Sequence, residues 1–165
     1  MTKYLTCVEI EPATPATATV LWLHGLGADG HDFEPIVPEL RLPRDAGVRF
    51  VLPNAPAIPV TINGRMVMPA WYDILALDIG REVDERQLLQ SAAAVAALVD
   101  REIERGIDSR RIVISLVPDG RGPAPVAPRV PIGPEIQVSG GKEAKVATYQ
   151  DLLKNAFDEV FFDYY

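Results

Sequence analysis

Short hydrophobic runs alternate with polar and helical stretches in the first part of the chain. Residues 20–23 are a continuous apolar run, and residues 48–52 and 111–114 are similar runs that each include one arginine. Such runs are typical of strands that are buried on both faces of a sheet. Residues 4–10 are a predicted edge strand in front of them. This alternation predicts an α/β fold with a mostly parallel sheet and flanking helices.

The clearest helix lies between the second and third of these runs. Leu88, Ala92, Val95, Val99 and Ile103 recur at helical spacing, which predicts one apolar face. The charged residues nearby are assigned mostly to the opposite, polar face: Glu82, Asp84, Glu85, Arg86, Arg101, Glu102 and Arg105. Arg105-Gly106 matches a glycine C-cap, so a strand, this helix and a further strand are expected to form one crossover unit.

The pattern changes twice after residue 115. Prolines crowd the next stretch, at positions 118, 123, 125, 128, 131 and 134. Because proline lacks an amide hydrogen and has a fixed φ, residues 116–141 are predicted to be a Pro/Gly-rich linker. Residues 142–165 are then predicted to form an amphipathic helix, with one apolar stripe through Val146, Tyr149, Leu153, Ala156, Val160 and Tyr164. Residues 1–115 are the predicted α/β unit.

Composition narrows the classes of partner. A length of 165 residues suffices for one domain. The net charge of −7 argues against nucleic acid or an anionic membrane as a partner. Cys7 is the only cysteine, which excludes an internal disulfide and fits a reducing compartment. We expect neither a signal peptide nor a membrane span, and the expected location is the cytoplasm.

A glycine-rich turn follows the first buried run, His24-Gly25-Leu26-Gly27-Ala28-Asp29-Gly30. Glycines let the backbone turn sharply and leave its amides open, as one donor of an oxyanion hole requires. A plain strand-to-helix turn explains the pattern about equally well. The glycines also spell G-x-G-x-x-G, but no acidic residue follows at the end of the next run, so no dinucleotide cofactor is expected.

The segments around this turn carry a resemblance to a known family. After Asp32-Phe33 come Pro-Asn-Ala-Pro at 53–56, Val-Thr-Ile-Asn-Gly at 60–64 and Met-Pro-Ala-Trp-Tyr-Asp-Ile at 68–74. In order and spacing, residues 17–115 resemble the N-terminal half of the carboxylesterase/lysophospholipase group of α/β-hydrolases, which includes the acyl-protein thioesterases. The resemblance implies a serine hydrolase of short acyl esters or thioesters that needs no cofactor or metal. It further implies that the Leu26 amide is the first oxyanion donor and that Met68 and Trp71 lie near the acyl pocket.

Each of these residues also has a structural interpretation. A histidine at a strand end, such as His24, is more often packed and hydrogen-bonded than catalytic. Trp71 and Tyr72 are more often core anchors than substrate contacts. His31 is interpreted as a surface residue, and Asp73 as a local cap or turn former.

The resemblance ends where the nucleophile belongs. In the family, the strand that corresponds to residues 112–114 runs into Gly-x-Ser-x-Gly, whose serine sits on a strained turn. Here Ser115-Leu116-Val117-Pro118 follows, so Pro118 takes the place of the serine and Leu116 that of the first glycine. Ser115 is a weak candidate nucleophile, because it stands three residues too early and both histidines precede it. We therefore expect an esterase that is truncated before its nucleophile and inactive.

Two other functions stay open. The chain could be an active hydrolase that uses an unrecognised site containing Ser115. It could instead be a non-catalytic binding or assembly module whose aromatic C-terminal helix docks a partner. An incomplete sheet would expose its last edge and an apolar face, and this exposure or the C-terminal helix would favour self-association.

Overall fold

The computed structural model of the protein describes residues 4–76, 82–116 and 130–131. Within these ranges the strands are β1 (Cys7–Ile10), β2 (Ala18–Leu23), β3 (Val48–Pro53), β4 (Ala57–Val60), β5 (Met66–Pro69), β6 (Ile112–Leu116) and β7 (Val130–Pro131), and the α-helix is α1 (Glu85–Glu104). All three predicted buried runs form strands, and the predicted helix forms α1. The small antiparallel hairpin of β4 and β5 is an element that the sequence pattern did not predict.

The main sheet has the strand order β1-β3-β2-β6-β7. Its three central strands are parallel, with β2 between β3 and β6, and β1 joins β3 antiparallel at one edge. This arrangement confirms the α/β fold with a mostly parallel centre. The predicted edge strand is present but begins at Cys7 rather than at residue 4.

Helix α1 packs its apolar side on one face of the sheet. Leu88, Ala92, Val95 and Val99 are buried there, together with Leu21, Leu23 and Val51 from the strands. At the N-terminus of the helix, the side chain of Asp84 accepts a hydrogen bond from the amide of Gln87, which satisfies one of the free N–H groups of the first turn. The polar-face assignment is wrong for Glu102, which is fully buried because it continues the stripe one turn beyond Val99.

The opposite face of the sheet carries aromatic side chains. The centre of the Trp22 ring lies 5.5 Å from the centre of the Phe33 ring and 6.4 Å from that of the Phe50 ring. Between β2 and β3 the chain forms three 3-10 turns, Gly30–Asp32, Glu34–Ile36 and Pro38–Leu40. Pro35 and Pro38 stand near the starts of the last two turns, where a missing amide hydrogen costs nothing.

Three residues of the predicted linker belong to the sheet: Leu116 ends β6, and the other two form β7. Val130 and Pro131 form β7, which pairs antiparallel with Ile114 and Val113 of β6. An edge strand tolerates proline, since its outer side needs no amide donor. The strand that contains residues 112–114 is therefore not the edge that the sequence predicted. The rest of the predicted linker (117–129 and 132–141) and the predicted helix 142–165 lie outside the described residues.

An ionic cluster is buried near the amino ends of β2 and β3, beneath the end of α1. Arg49 and Glu102 are both 0% exposed, and Arg49 Nε lies 3.1 Å from Glu102 Oε2. The hydroxyl of Thr19 donates to the same oxygen at 3.0 Å. Arg49 also pairs with Glu9 of β1, and Arg101 Nη1 lies 2.8 Å from Glu9 Oε1. We call Thr19, Arg49, Glu102, Glu9 and Arg101 the ionic cluster.

Candidate functional site

The predicted site residues gather at the carboxyl end of the parallel strands. β2 ends at Leu23 and its neighbour β3 ends at Pro53. The turns that follow these strands therefore meet at one edge of the sheet, where α/β folds commonly bind ligands. We call residues 24–30, which follow β2, the carboxyl-end turn.

His24 is a structural centre of this turn. Its Nδ1 lies 2.7 Å from the carbonyl oxygen of Gly25, and its Nε2 lies 2.9 Å from the amide nitrogen of Ala55. A carbonyl accepts only, so Nδ1 carries the proton and Nε2 accepts from Ala55. Burial lowers the pKa of His24 below its ordinary value, which keeps the ring neutral. Both ring nitrogens are occupied, so the packed, hydrogen-bonded interpretation of His24 is confirmed.

Trp71 holds the same turn from the other side. Its indole Nε1 donates a hydrogen bond to the carbonyl oxygen of His24 at 2.8 Å, and the two rings are 5.2 Å apart. The hydroxyl of Ser91 on α1 in turn donates to the Trp71 carbonyl. Trp71 and Tyr72 are both buried in the core. Both residues are part of the core, and Trp71 connects helix α1 to the carboxyl-end turn.

Met68 lies over the glycines of the carboxyl-end turn. A Cβ built on Gly27 would stand 3.8 Å from Met68 Sδ, and the φ of Gly27 is +77°, a backbone conformation that favours glycine. The amide of Gly27 donates to the carbonyl of Pro69 at 2.9 Å. Leu26 is partly buried against the core beside Gly27. The structure thus brings together Leu26, Met68 and Trp71, the three residues that the resemblance selected.

The far end of the turn is fixed by residues that the sequence analysis missed. The amide of Gly30 donates to Asn54 Oδ1 at 2.8 Å, and a Cβ on Gly30 would stand only 2.5 Å from the Leu52 carbonyl oxygen. Asp29 and Asp32 form a reciprocal capping box over the following 3-10 turn. The spacing Asp-x-x-Asp is the signal that would have predicted this cap.

Asp73 ties the segment after Trp71 to its surroundings. Its carboxylate accepts from the amide of Thr61 at 2.7 Å and from the hydroxyl of Thr61 at 2.6 Å. Its own amide donates to Gln87 Oε1 of α1 at 2.7 Å. Asp73 is the local turn former that the sequence suggested, and it fixes the path of the chain on which Trp71 stands.

Ser115 and His31 are not joined to a catalytic arrangement within the described residues. Ser115 is part of β6, in register with Trp22, so it belongs to the strand and not to a turn after it. His31 is exposed, and its Nδ1 lies 3.1 Å from Glu34 Oε2. In the same ranges no group of three or more histidine, cysteine or acidic side chains could hold a metal ion. A search of the described residues for a helix long and apolar enough to cross a membrane gives none.

The parallel sheet, the glycine-rich turn at its carboxyl end and the single crossover helix define the N-terminal part of an α/β-hydrolase domain. The phospholipase/carboxylesterase family matches residues 6–115 of the sequence. The chain belongs to this family.

Relatives of known sequence and structure carry acyl-protein thioesterase names. Acyl-protein thioesterase 1 of Schizosaccharomyces pombe is 41% identical over 114 residues, which are 69% of this chain and 50% of the relative. The Neurospora crassa enzyme of that name is 45% identical over 104 residues, 59% of this chain and 42% of the relative. The chain spans about half the length of the curated relatives it matches.

Solved structures give the same assignment of fold. The crystal structure of Zea mays acyl-protein thioesterase 2 has a TM-score of 0.56 at 28% identity and covers 70% of this chain and 46% of its own. That of Arabidopsis thaliana SOBER1 has a TM-score of 0.57 at 32% identity and covers 61% of this chain and 49% of its own.

Proposed function

We propose that this protein binds the acyl part of a small acyl ester or thioester at the carboxyl-end turn and does not hydrolyse it. The observation that carries the proposal is the position of Met68 Sδ, which lies 3.8 Å from where the Cβ of a side chain on Gly27 would stand. It sets an adaptable apolar side chain directly beside the backbone that is predicted to receive the carbonyl. The acyl substrates named for the thioesterase relatives support the ligand class.

The proposed binding mode uses backbone and apolar groups. The Leu26 amide donates to the carbonyl oxygen of the ligand, and Met68 and Trp71 line the path of the acyl chain. His24 acts as a positioning residue, because its two ring nitrogens fix Gly25 and Ala55 on either side of the turn. Such pre-organised donors bind a carbonyl without reorganisation, and no cofactor is needed.

Hydrolysis would need a nucleophile and a base at this carbonyl. In the sequence, Pro118 occupies the serine position, and proline has no group that can attack a carbonyl. His24 is neutral with both nitrogens engaged, so it cannot accept a proton from an attacking group. These two facts support binding without turnover.

The proposed setting is the cytoplasm, with a small molecule as partner and no nucleic acid. The net charge of −7 disfavours a polyanionic partner. Burial raises the pKa of the lone thiol, Cys7, to about 11, so the thiol stays protonated and unreactive at neutral pH.

The binding step can be tested with a matched pair of methionine variants on β5. Affinity for a non-hydrolysable acyl thioether is measured by calorimetry for the full chain. Met68→Ala should weaken binding about fivefold to tenfold, because it removes apolar contact with the ligand. Met66→Ala, on the same strand but 63% exposed, should leave affinity unchanged. Equal losses in the two variants, or no binding by the wild-type chain, would overturn the proposed site.

The absence of turnover is tested separately. The folded chain is incubated with a fluorophosphonate serine probe, and intact-mass spectrometry shows whether an adduct forms. Hydrolysis is assayed separately with a short-chain p-nitrophenyl ester. We expect neither an adduct nor turnover above that of buffer. A stoichiometric adduct with turnover, both lost in Ser115→Ala, would establish an active hydrolase with Ser115 as its nucleophile.

A further inference from the structure

A small groove lies on the sheet face opposite α1, away from the carboxyl-end turn. Its floor is apolar and consists of Ile10, Val48 and Phe50 from the strands with Val37 above them. Its volume is about 220 Å³. Small-molecule sites usually measure about 300–1,000 Å³. This groove therefore suits one or two side chains of a docked polypeptide better than a whole small molecule.

Exposed aliphatic side chains extend the apolar surface beside the groove. Ile36, Leu40 and Leu42 are 40%, 43% and 45% exposed, and Leu42 itself lines the groove. They follow one another within seven residues of chain, from 36 to 42. A local concentration of exposed large apolar residues marks a surface that another chain segment covers.

Unpaired positive charge stands at the rim of this groove. Arg41 and Arg44 both line it, and in the described part of the chain no carboxylate oxygen lies within 4.0 Å of either guanidinium. The lining carboxylate of Glu11 is already paired with Arg49 and Arg105. Arg41 also adopts a left-handed backbone, with φ +49° and ψ +39°, a conformation that costs free energy in residues other than glycine. An occupant with acidic and aromatic side chains would complement this rim and floor.

We propose that the C-terminal segment of this chain, residues 157–165, docks in the groove. It reads Phe-Asp-Glu-Val-Phe-Phe-Asp-Tyr-Tyr, with five aromatic residues, three acidic residues and no basic residue. Aromatic side chains fill the apolar floor, and Asp158, Glu159 or Asp163 pairs with Arg41 and Arg44. The 25 residues between Pro131 of β7 and Phe157 can extend over about 80 Å, so the reach of the chain does not oppose the contact.

Cross-linking in the full chain tests this contact directly. Phe161 is replaced by the photo-reactive amino acid p-benzoylphenylalanine, and the cross-linked peptides are identified by mass spectrometry. The expected product is a cross-link within one chain to residues 36–50. Reversing the rim charges, Arg41→Glu with Arg44→Glu, should lower its yield about fivefold, in keeping with two lost surface pairs. Adding Asp158→Lys and Glu159→Lys to that variant should restore the yield.

Arg65→Glu is the matched control. Arg65 is exposed and also has a positive φ, +61°, but it lies on the β4–β5 hairpin away from the groove. This variant should keep the wild-type yield. A wild-type cross-link to any other surface, a cross-link between two chains, or a yield that Arg65→Glu lowers as much as the rim variant would overturn the proposal. If a charge-reversed variant fails to fold, the cross-linked positions found without the charge reversal still show whether the C-terminal segment contacts residues 36–50.

Discussion

The two ends of the parallel strands are stabilised by different chemistry. At the amino end, the ionic cluster buries full charges, with Arg49 and Glu102 both 0% exposed. At the carboxyl end, the equally buried His24 is neutral, and its two ring nitrogens bond backbone groups of Gly25 and Ala55. One end is thus fixed by side-chain charge, and the other by backbone hydrogen bonds around one imidazole.

Because of this difference, we expect the amino end to contribute to stability and the carboxyl end to contribute to both stability and ligand binding. Buried charges are stable only when every partner is present, so the ionic cluster specifies how β1, β3 and α1 fit together. The carboxyl-end turn is built around a neutral imidazole, and its charged side chains, Asp29 and Asp32, form the capping box at its far end. We therefore expect substitutions at the amino end to act mainly on folding, and substitutions at the carboxyl end to act on folding and binding together.

The largest effect is expected for Arg49→Met. This change removes the guanidinium beside Glu102 Oε2 and leaves that buried carboxylate with Arg101, whose Nη2 lies 3.1 Å from Oε1, as its remaining close cation. A buried charge left with no partner costs about 3–5 kcal/mol, so a loss at the lower end, about 3 kcal/mol, is expected here. The free energy of unfolding, measured by urea titration, should fall by about that amount. Ligand affinity per folded molecule should be unchanged, because Arg49 lies at the other end of the sheet.

Two further variants control this prediction. Arg49→Met combined with Glu102→Leu removes both charges and should recover most of the lost stability. Arg110→Met breaks only the exposed pair with Asp108, whose atoms Nη2 and Oδ2 are 2.5 Å apart, and should cost no more than about 1 kcal/mol. Equal losses in Arg49→Met and Arg110→Met would contradict a special role for the buried cluster.

Much of the fold could be predicted because its signals are local. The buried runs became β2, β3 and β6, and the periodic stretch became α1. The motifs at 24–30 and 68–74 pointed to Leu26, Met68 and Trp71, which lie around one turn in the structure. The roles of these three residues in binding stay predictions.

The ionic cluster escaped prediction because its partners are far apart in sequence. Glu102 and Thr19 are separated by 83 positions, and periodicity on one helix does not reveal a charge on a neighbouring strand. Arg49 stands inside an otherwise apolar run, and its burial is explained by carboxylates from outside that run, those of Glu9 and Glu102. The hairpin of β4 and β5 was missed for a related reason, because its strands are short, hold Pro59 and Pro69 and are largely exposed.

Trp71→Phe gives an intermediate effect at the carboxyl end. It deletes the hydrogen bond to the His24 carbonyl and should lower the free energy of unfolding by about 1–2 kcal/mol. Acyl-thioether affinity should fall as well, because the turn loses its anchor. Both quantities are measured on the same preparation, by urea titration and calorimetry.

Trp22→Phe is the matched control for that variant. Trp22 is on the same sheet, and its buried Nε1 has no hydrogen-bond partner among the described residues. Loss of this N–H should therefore cost little or even stabilise the protein. If Trp22→Phe were the more harmful of the two, the hydrogen bond to His24 would not be what holds the turn.

The smallest effect expected is a pH dependence that differs between the two ends. Burial lowers the pKa of His24 from its ordinary 6.5, so below that pH the unfolded chain takes up a proton that the folded chain refuses. Burial tends to raise the pKa of Glu9, but Arg101 and Arg49 outweigh it and hold the pKa below the ordinary 4.5. In both cases stability is present above the ordinary pKa and falls as the pH drops. As the pH is lowered, the contribution of the carboxyl end to stability should therefore be lost before that of the amino end.

Urea titrations at several pH values separate these windows. The wild-type chain should lose stability in one step below about pH 6.5 and in a second step below about pH 4.5. His24→Gln should remove the first step and Glu9→Gln should reduce the second. A first step that survives in His24→Gln would mean that the neutral imidazole is not what makes the carboxyl end sensitive to acid, and the contrast between the two ends would then rest on the Arg49 and Trp71 variants alone.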